Sequence, residues 1–320
     1  MKKTLLLAFV SVIMDMNAQY FEHVYGSANI EEVFAGMNTN QTGQGFVISG
    51  VRTSTSNGAK AIALARTDIN GDIPASPYFK KNYGIYFNSS LTPVMKPREA
   101  YVVELSSTRY AIAGVCYKDE TLQKYCVYYA QVDQNGVPMP GPTFNMQYYD
   151  LGLDNYYQVR NVRLSPSGNE LYIIGLSISN TTGAYYSMVL KVDVATGALL
   201  WSYLYNVSGS EENAYDAVED PATNELVVVG FYNNSVDRDA YILRLDASTG
   251  GFVTGTNTMG WGSGTSGTEE VFSCITLATG GGYIIGGWTS MAGNKDSWTV
   301  KLDNTFNVVW NTIHDYSGSF

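Results

Sequence analysis

The side chains able to do hydrolytic, redox or metal chemistry are few in kind: two histidines, three cysteines and 29 acidic residues in a chain of 320. His23 and His314 sit in matching contexts, Tyr20-Phe21-Glu22-His23-Val24-Tyr25-Gly26-Ser27 and Ile313-His314-Asp315-Tyr316-Ser317-Gly318-Ser319. That marks them as equivalents in a repeat rather than as catalytic bases. Nucleophilic catalysis on serine needs a histidine oriented by a carboxylate, and no Gly-x-Ser-x-Gly turn is present. Neither histidine has a His-x-x-x-His or Cys-x-x-Cys partner, so neither a metal nor a cofactor is expected. Hydrolysis of a glycosidic bond asks only for two carboxylates, which leaves the acidic residues to be placed.

Those residues recur in three settings. Paired glutamates, Glu31/Glu32, Glu211/Glu212 and Glu269/Glu270, follow Gly-Ser-rich connections. A ring of Glu32, Glu212 and Glu270 on one face would bind a cation or a basic ligand, although solvated loop ends that cap backbone amides are the leading reading. Asp239 and Asp296 each follow a basic residue, precede a small residue and an aromatic, and open an apolar run. They are candidate ligand-binding residues as well, with an intra-sheet hydrogen bond or ion pair as the simpler role. The third setting is a series of strand-ending aspartates, Asp68, Asp133, Asp193, Asp246 and Asp303. Asn70-Gly71, Asn135-Gly136, Thr196-Gly197 and Thr249-Gly250 follow the first four. Glycine there supplies the positive φ of a hairpin turn. A calcium loop is the alternative, but no downstream glutamate recurs at a fixed distance.

The elements that must carry these residues repeat. Phe46–Gly50, Tyr110–Gly114, Leu171–Gly175, Leu226–Gly230 and Tyr283–Gly286 are short β-rich runs ending in glycine, spaced 64, 61, 55 and 56 residues apart. Each aspartate of the series closes the next run, with Arg66, Gln131, Lys191, Arg244 and Lys301 two positions ahead of it. Ser297-Trp298-Thr299-Val300-Lys301-Leu302 alternates polar and apolar, as a strand with one buried face does. The glycine-ending runs are apolar throughout, as strands covered on both faces are. A third run follows, clearest in Ala198–Tyr203 and Asn307–Thr312, and a less regular fourth (Val33–Met37, Tyr215–Val218, Val271–Leu277) begins each next copy. The 25 tyrosines and 32 glycines suit strands and turns rather than helices, and no helical period is sustained after the first residues. Four strands in a unit of 55–65 residues make one blade of a β-propeller.

The expected fold is therefore all-β, a propeller of four-stranded antiparallel blades, five in number, near 30–99, 100–160, 161–210, 211–265 and 266–316. Residues 20–25 are left as an extra closing strand. The stretch Ile73–Arg98, with four prolines, reads as an extended loop inserted in the first blade. Tyrosines at 125–129, 148–157 and 185–186 offer either a sugar-stacking surface or cross-strand packing.

Lys2 and Lys3, an apolar run to Met14 and Ala18 before Gln19 have the form of a secretory signal peptide over residues 1–18. The propeller then occupies 19–320. The run is too short to span a bilayer, so no membrane insertion is expected once the signal is removed. Loss of that segment removes Lys2, Lys3 and Asp15 and moves the formal charge from −10 to −11. Such acidity disfavours nucleic acid and anionic membrane surfaces. Secretion, the cell surface or the periplasm is the expected location. There, Cys116 and Cys126, flanking a hairpin, are candidates for a disulfide. Cys274 reads as a small buried hydrophobe. Sequons at Asn40, Asn88, Asn180, Asn206 and Asn233 mark polar loops.

Gly281-Gly282-Tyr283-Ile284-Ile285-Gly286 with Asp296–Asp303 and Val308-Val309-Trp310, and again Arg238–Asp246, resembles the propeller repeats of secreted Bacteroidota proteins. Asp193-Val194-Ala195-Thr196-Gly197-Ala198-Leu199-Leu200-Trp201 is similar to quinoprotein-like propellers, without the vicinal Cys-Cys pair of the quinone enzymes. The export signal, the repeats and the missing catalytic motifs together point to a secreted or surface-attached, non-enzymatic binding or adhesion module whose ligand is a polysaccharide or a surface protein. A propeller glycoside hydrolase, lyase or cofactor-binding enzyme is the alternative, and a structural scaffold the third reading.

Overall fold

The computed structural model describes residues 30–39, 45–55, 58–76, 78–83, 85–86, 94–119, 124–139, 146–152, 155–206, 211–233, 237–253, 259–261, 268–290 and 294–314. Among these, every regular element is a β-strand. No helix of the described residues is long and apolar enough to cross a membrane. The signal-peptide reading and the strand at 20–25 lie outside them.

The first blade is β1 (Ile30–Thr39), β2 (Phe46–Ser54), β3 (Lys60–Thr67) and β4 (Phe79–Tyr83), paired in that order. Next come β5 (Ile85–Tyr86) and β6 (Val94–Pro97), then β7 (Tyr101–Ser106), β8 (Arg109–Asp119), β9 (Lys124–Asp133), β10 (Pro138–Met139) and β11 (Met146–Tyr149). These seven form the second blade, with β8 and β9 at its centre. The third is β12 (Asn155–Leu164), β13 (Glu170–Ser179), β14 (Tyr185–Asp193) and β15 (Leu199–Tyr205). The fourth is β16 (Glu212–Asp220), β17 (Glu225–Asn233), β18 (Arg238–Asp246) and β19 (Met259–Trp261). The fifth is β20 (Glu270–Leu277), β21 (Tyr283–Thr289), β22 (Asp296–Leu302) and β23 (Val308–His314). All pairings are antiparallel between sequential neighbours, apart from the added strands of the second blade. Consecutive sheets stack through shared cores, which makes this a β-propeller of five blades.

The supposed loop at 73–98 is a correction. It supplies β4, the outer strand of the first blade, and β5 and β6, the latter hydrogen-bonded to β8. Prolines hid these strands, yet Pro97 sits at the end of an edge segment, where its missing N–H is tolerated. The innermost strand β12 starts at Asn155, ahead of the boundary expected at 160.

The glycine inside each of three central strands has a steric reason. A Cβ on Gly175, Gly230 or Gly287 would lie 2.0, 2.0 or 1.9 Å from the carbonyl oxygen of Gln158, Asn213 or Val271. At that point the innermost strand bulges, between Val159 and Asn161, Ala214 and Asp216, and Phe272 and Cys274. The bulge drives one carbonyl against the neighbouring backbone, and only glycine leaves room. In the fifth blade this glycine is Gly287, opposite Phe272, and not Gly286.

Four apolar cores join blade to blade. Side chains alternate along each central strand, so Leu171 and Ile173 enter the core shared with the second blade, while Tyr172 and Ile174 enter the core shared with the fourth. Val227 and Val229 likewise meet Tyr283, Ile285, Trp298 and Val300 of the fifth blade. This explains runs with no polar alternation. Among the described residues the fifth blade joins an apolar core on one face, and β23 is exposed along its length. Among the described residues, the first sheet does not pack face to face with the last.

Gly230→Ala is expected to destabilise the fold by about 3 kcal/mol, because backbone must move to admit the methyl. Gly183→Ala, at φ 72° with open space around it, should cost only about 1 kcal/mol. Denaturant midpoints of the two variants measure the difference; equal midpoints would refute the close-approach explanation.

Candidate functional site

The candidate carboxylates come together blade by blade at the sheet edge that bears the inter-blade connections. Glu212 lies opposite Tyr232, which lies opposite Asp239; Glu270, Thr289 and Asp296 repeat the arrangement in the fifth blade. Glu212, Glu270 and Asp296 are buried, and Asp239 is half-buried. Thr289 Oγ1 donates to Glu270 Oε1 at 3.4 Å, and Asn294 Nδ2 donates to Asp296 Oδ1 at 2.8 Å. The Tyr232 hydroxyl is raised to about 12 by burial and by its hydrogen bond to Asp239. Glu32 stands opposite Arg52 in the β1–β2 register. The first member of a glutamate pair behaves differently: Glu269 is at the rim, 3.7 Å from both Arg238 and Lys295.

A second polar centre lies on the innermost strands, at the bulge itself. Asp216, fully buried on β16, accepts from Asn161 Nδ2 (2.8 Å) and Arg163 Nε (2.7 Å) of the third blade. It also accepts from its neighbour Ala217 N (2.8 Å) and from Ile275 N of the fifth blade (3.0 Å). One carboxylate thus ties three blades. Burial opposes the Arg163 charge, but the hydrogen bond and charge of Asp216 outweigh it and raise the guanidinium above its ordinary value. Sequence reasoning missed Asp216 because its repeat equivalents by register are Asn161 and Cys274. Cys274 corrects an expectation, since it is exposed. Desolvation of its sulfur, then the Asp216 charge, raises the thiol, which keeps it protonated rather than nucleophilic.

Glu99, ahead of β7, accepts Val159 N at 2.8 Å, and burial pushes its carboxyl up to about 7 despite Arg98 and Arg160 nearby. Arg98 in turn lies over the rings of Tyr156, Tyr125 and Tyr117, 4.7, 5.4 and 5.7 Å from their centroids. Cys116 and Cys126 face each other directly in register as free thiols, Sγ to Sγ 3.2 Å.

The strand-ending aspartates cap their own turns. Asp68 Oδ1 accepts Asn70 N and Asp72 N, Asp133 Oδ1 accepts Asn135 N and Val137 N, and Asp303 Oδ1 accepts Thr305 N and Asn307 N. The Thr305 hydroxyl and the Asn307 amide hold the Asp303 carboxyl down at about 2. With those lone pairs used, the turn reading stands over the calcium loop. Among the described residues, no three His, Cys, Asp or Glu side chains gather as a metal would need.

Most tyrosines named as a sugar surface are interior. Tyr128 and Tyr157 are fully buried, and Tyr149 donates to Gly197 O at 2.7 Å. The aromatic surface lies elsewhere, at the junction of the third and fourth blades. Tyr203, Leu204, Tyr205, Asn206, Gly250, Gly251 and Phe252 line an open cleft of about 310 Å³. Tyr203 and Tyr205 stack at 5.6 Å, Tyr205 meets Phe252 edge-on at 5.2 Å, and Tyr203 and Phe252 are exposed. The available sequence signal was Tyr203 and Tyr205 on an outer strand, which has solvent on one side.

Strand order, bulge and junctions define a β-propeller with antiparallel four-stranded blades. No protein-family model matches the chain, and no curated protein matches it. Among solved structures it is similar to the Dos1 propeller, with TM-score 0.48 and 10% identity over 89% of this chain and 71% of that one. It is also similar to an exo-β-1,3-galactanase from Phanerochaete chrysosporium, with TM-score 0.42 and 14% identity over 85% of this chain. The chain spans 60% of that protein's length. A glycosyl hydrolase from Bacteroides ovatus has TM-score 0.33 and 8% identity over 90% of this chain and 86% of that one.

Asp216→Ala is expected to cost about 3 kcal/mol, since it strands the donors of three blades and removes the partner of Arg163. A loss below about 1 kcal/mol in equilibrium unfolding would contradict the central role of this carboxylate. Glu99 gives a pH signature. Its folded pKa of about 7 lies above the ordinary 4.5, so its contribution is full below 4.5 and is lost as pH rises through 7. Glu99→Gln should flatten the slope of stability against pH in that window.

Proposed function

We propose that the protein is an exported, non-enzymatic β-propeller of the cell surface or periplasm that acts as a binding or adhesion module. Its ligand is a polysaccharide or another surface protein, and the carbohydrate reading is preferred. The observation that carries it is the cleft where exposed Tyr203 and Phe252 flank the buried Tyr205. An aromatic ring offers a flat apolar face with a polar edge, which suits the C–H face of a sugar. The acidic residues support the same reading from the other side. Asp216 and the turn aspartates serve as acceptors for backbone and side-chain donors of the fold, and a carboxylate so engaged is poorly placed to act on a substrate.

A second reading, a propeller glycoside hydrolase or related enzyme, is favoured by one group. Glu99 is half protonated near neutrality, the state a general acid requires.

Titration of the full chain against a panel of surface polysaccharides, followed by calorimetry, tests both. Saturable binding without product formation is expected. Tyr203→Ala combined with Phe252→Ala should weaken that binding at least tenfold while leaving the unfolding midpoint nearly unchanged. Release of shortened glycan that Glu99→Gln abolishes would overturn the non-enzymatic reading in favour of the second.

A further inference from the structure

Three of the four described blade junctions are closed by one device, and its two halves are left open at opposite ends. The residue two before the strand-ending aspartate reaches across to the carbonyl of the residue just after the aspartate in the next blade. Arg66 Nη1 donates to Gln134 O at 3.1 Å, Gln131 Nε2 donates to Val194 O, and Lys191 Nζ donates to Ala247 O at 3.0 Å. In the third blade Trp201 Nε1 donates to the same Ala247 oxygen at 3.2 Å. An outer-strand tyrosine adds a second bond to the turn glycine: Tyr83 to Gly136, Tyr149 to Gly197 and Tyr205 to Gly250. At the fourth junction Arg244 instead lays its guanidinium on Phe306, 4.5 Å from the ring centroid.

The fifth blade carries the donor half. Lys301 and Trp310 occupy the register positions of Lys191 and Trp201, since Lys301 pairs with Trp310 as Lys191 pairs with Trp201. Among the described residues Lys301 meets no neighbouring blade's turn and folds back onto Gly281 O of its own sheet. Trp310 is 44% exposed, beside exposed Val308, Val309 and Ile313. The first blade carries the acceptor half. Its Asp68 turn has the same capping bonds as the Asp133 turn. Ile69, one residue on, is 58% exposed, where its equivalents Val194 and Ala247 are buried and receive the donors.

We propose that the exposed flank of the fifth blade is a docking surface for the first blade of a second copy of this chain. Lys301 and Trp310 of one copy then reach the Ile69 carbonyl of the next. The acceptor and donor lie on the first and last sheets, which among the described residues do not pack face to face. A pairing of unlike ends is heterologous, and it builds head-to-tail assemblies. The face is less apolar than the internal junctions, with Gly286 and Thr299 where the fourth blade has Val229 and Ile242. Association is therefore reversible and concentration-dependent, unlike the internal contacts.

Sedimentation velocity of the full chain across micromolar concentrations tests this, and a weight-average mass that rises with concentration is expected. Lys301→Glu and Trp310→Ala should each shift the association midpoint at least tenfold to higher concentration, with unfolding midpoints preserved. A monomer throughout, or association indifferent to both substitutions, overturns the proposal. The identity of the occupant is read separately from Ile69→Cys with Lys301→Cys in a Cys274→Ser background, oxidised with glutathione disulfide. Linked multimers support docking of a second copy. A disulfide within single chains would mean that the chain's own first blade fills the site, and the absence of any link would mean that this face does not meet Ile69; either result overturns the proposal.

Discussion

The bond on which the rest of this structure depends is the one between the end of a blade's third strand and the turn of the next blade. A propeller blade is a twisted sheet with apolar faces, and apolar faces alone slide. What fixes neighbouring sheets in angle and height is a directional contact, and here it is a cation or amide reaching a single carbonyl within the turn. The acceptor is usable because the preceding aspartate holds the turn shape, with its carboxylate taking up the turn's own N–H groups. A hydrogen bond from a charged donor is stronger than a neutral one and more demanding in direction. That accounts for long basic side chains at a position enclosed between sheets, where Arg66 and Lys191 are buried.

A second constraint acts at the inner edge. The innermost strands crowd toward one another, and a bulge in each re-aims its side chains. The bulge forces a carbonyl against the middle strand, and the middle strand answers with glycine. The same bulge brings Asp216 to a position from which it serves the third, fourth and fifth blades together. Packing and electrostatics are thus coupled through backbone geometry. Tyr172 and Tyr283 extend this at the opposite sheet edge, donating from either side to Glu219 and Asp220 of the fourth blade.

Much of this was legible in the sequence because a repeat prints its constraints several times over. The aspartates, the basic residue two before them and the turn glycines were all visible, and each has a physical duty in the junction. What was not legible follows from the limits of repetition. Gly286 and Gly287 are adjacent, and only the pairing of Phe272 decides between them. β4 to β6 lie in a proline-bearing stretch with no counterpart elsewhere in the chain. Asp216 has Asn161 and Cys274 at its equivalent positions, so no pattern announced it. The pairing of Glu212 with Asp239 across Tyr232 depends on strand register, which the spacing of motifs along one strand does not encode.

The distribution of charge then bears on what the molecule is built to do. In an acidic chain the carboxylates could have been left on the surface for solubility alone, yet many of those described are directed inward or into turns. Burying a carboxylate is costly unless donors surround it. For Asp216 the fold meets that cost with backbone amides and with the Asn161 and Arg163 side chains of the adjacent blade, and the carboxylate so held serves the assembly of blades. Two exposed apolar and aromatic surfaces stand out among the described residues, the cleft beside Phe252 and the flank around Trp310. Such surfaces lose ordered water when another apolar face covers them, which is the physical basis of any contact they make.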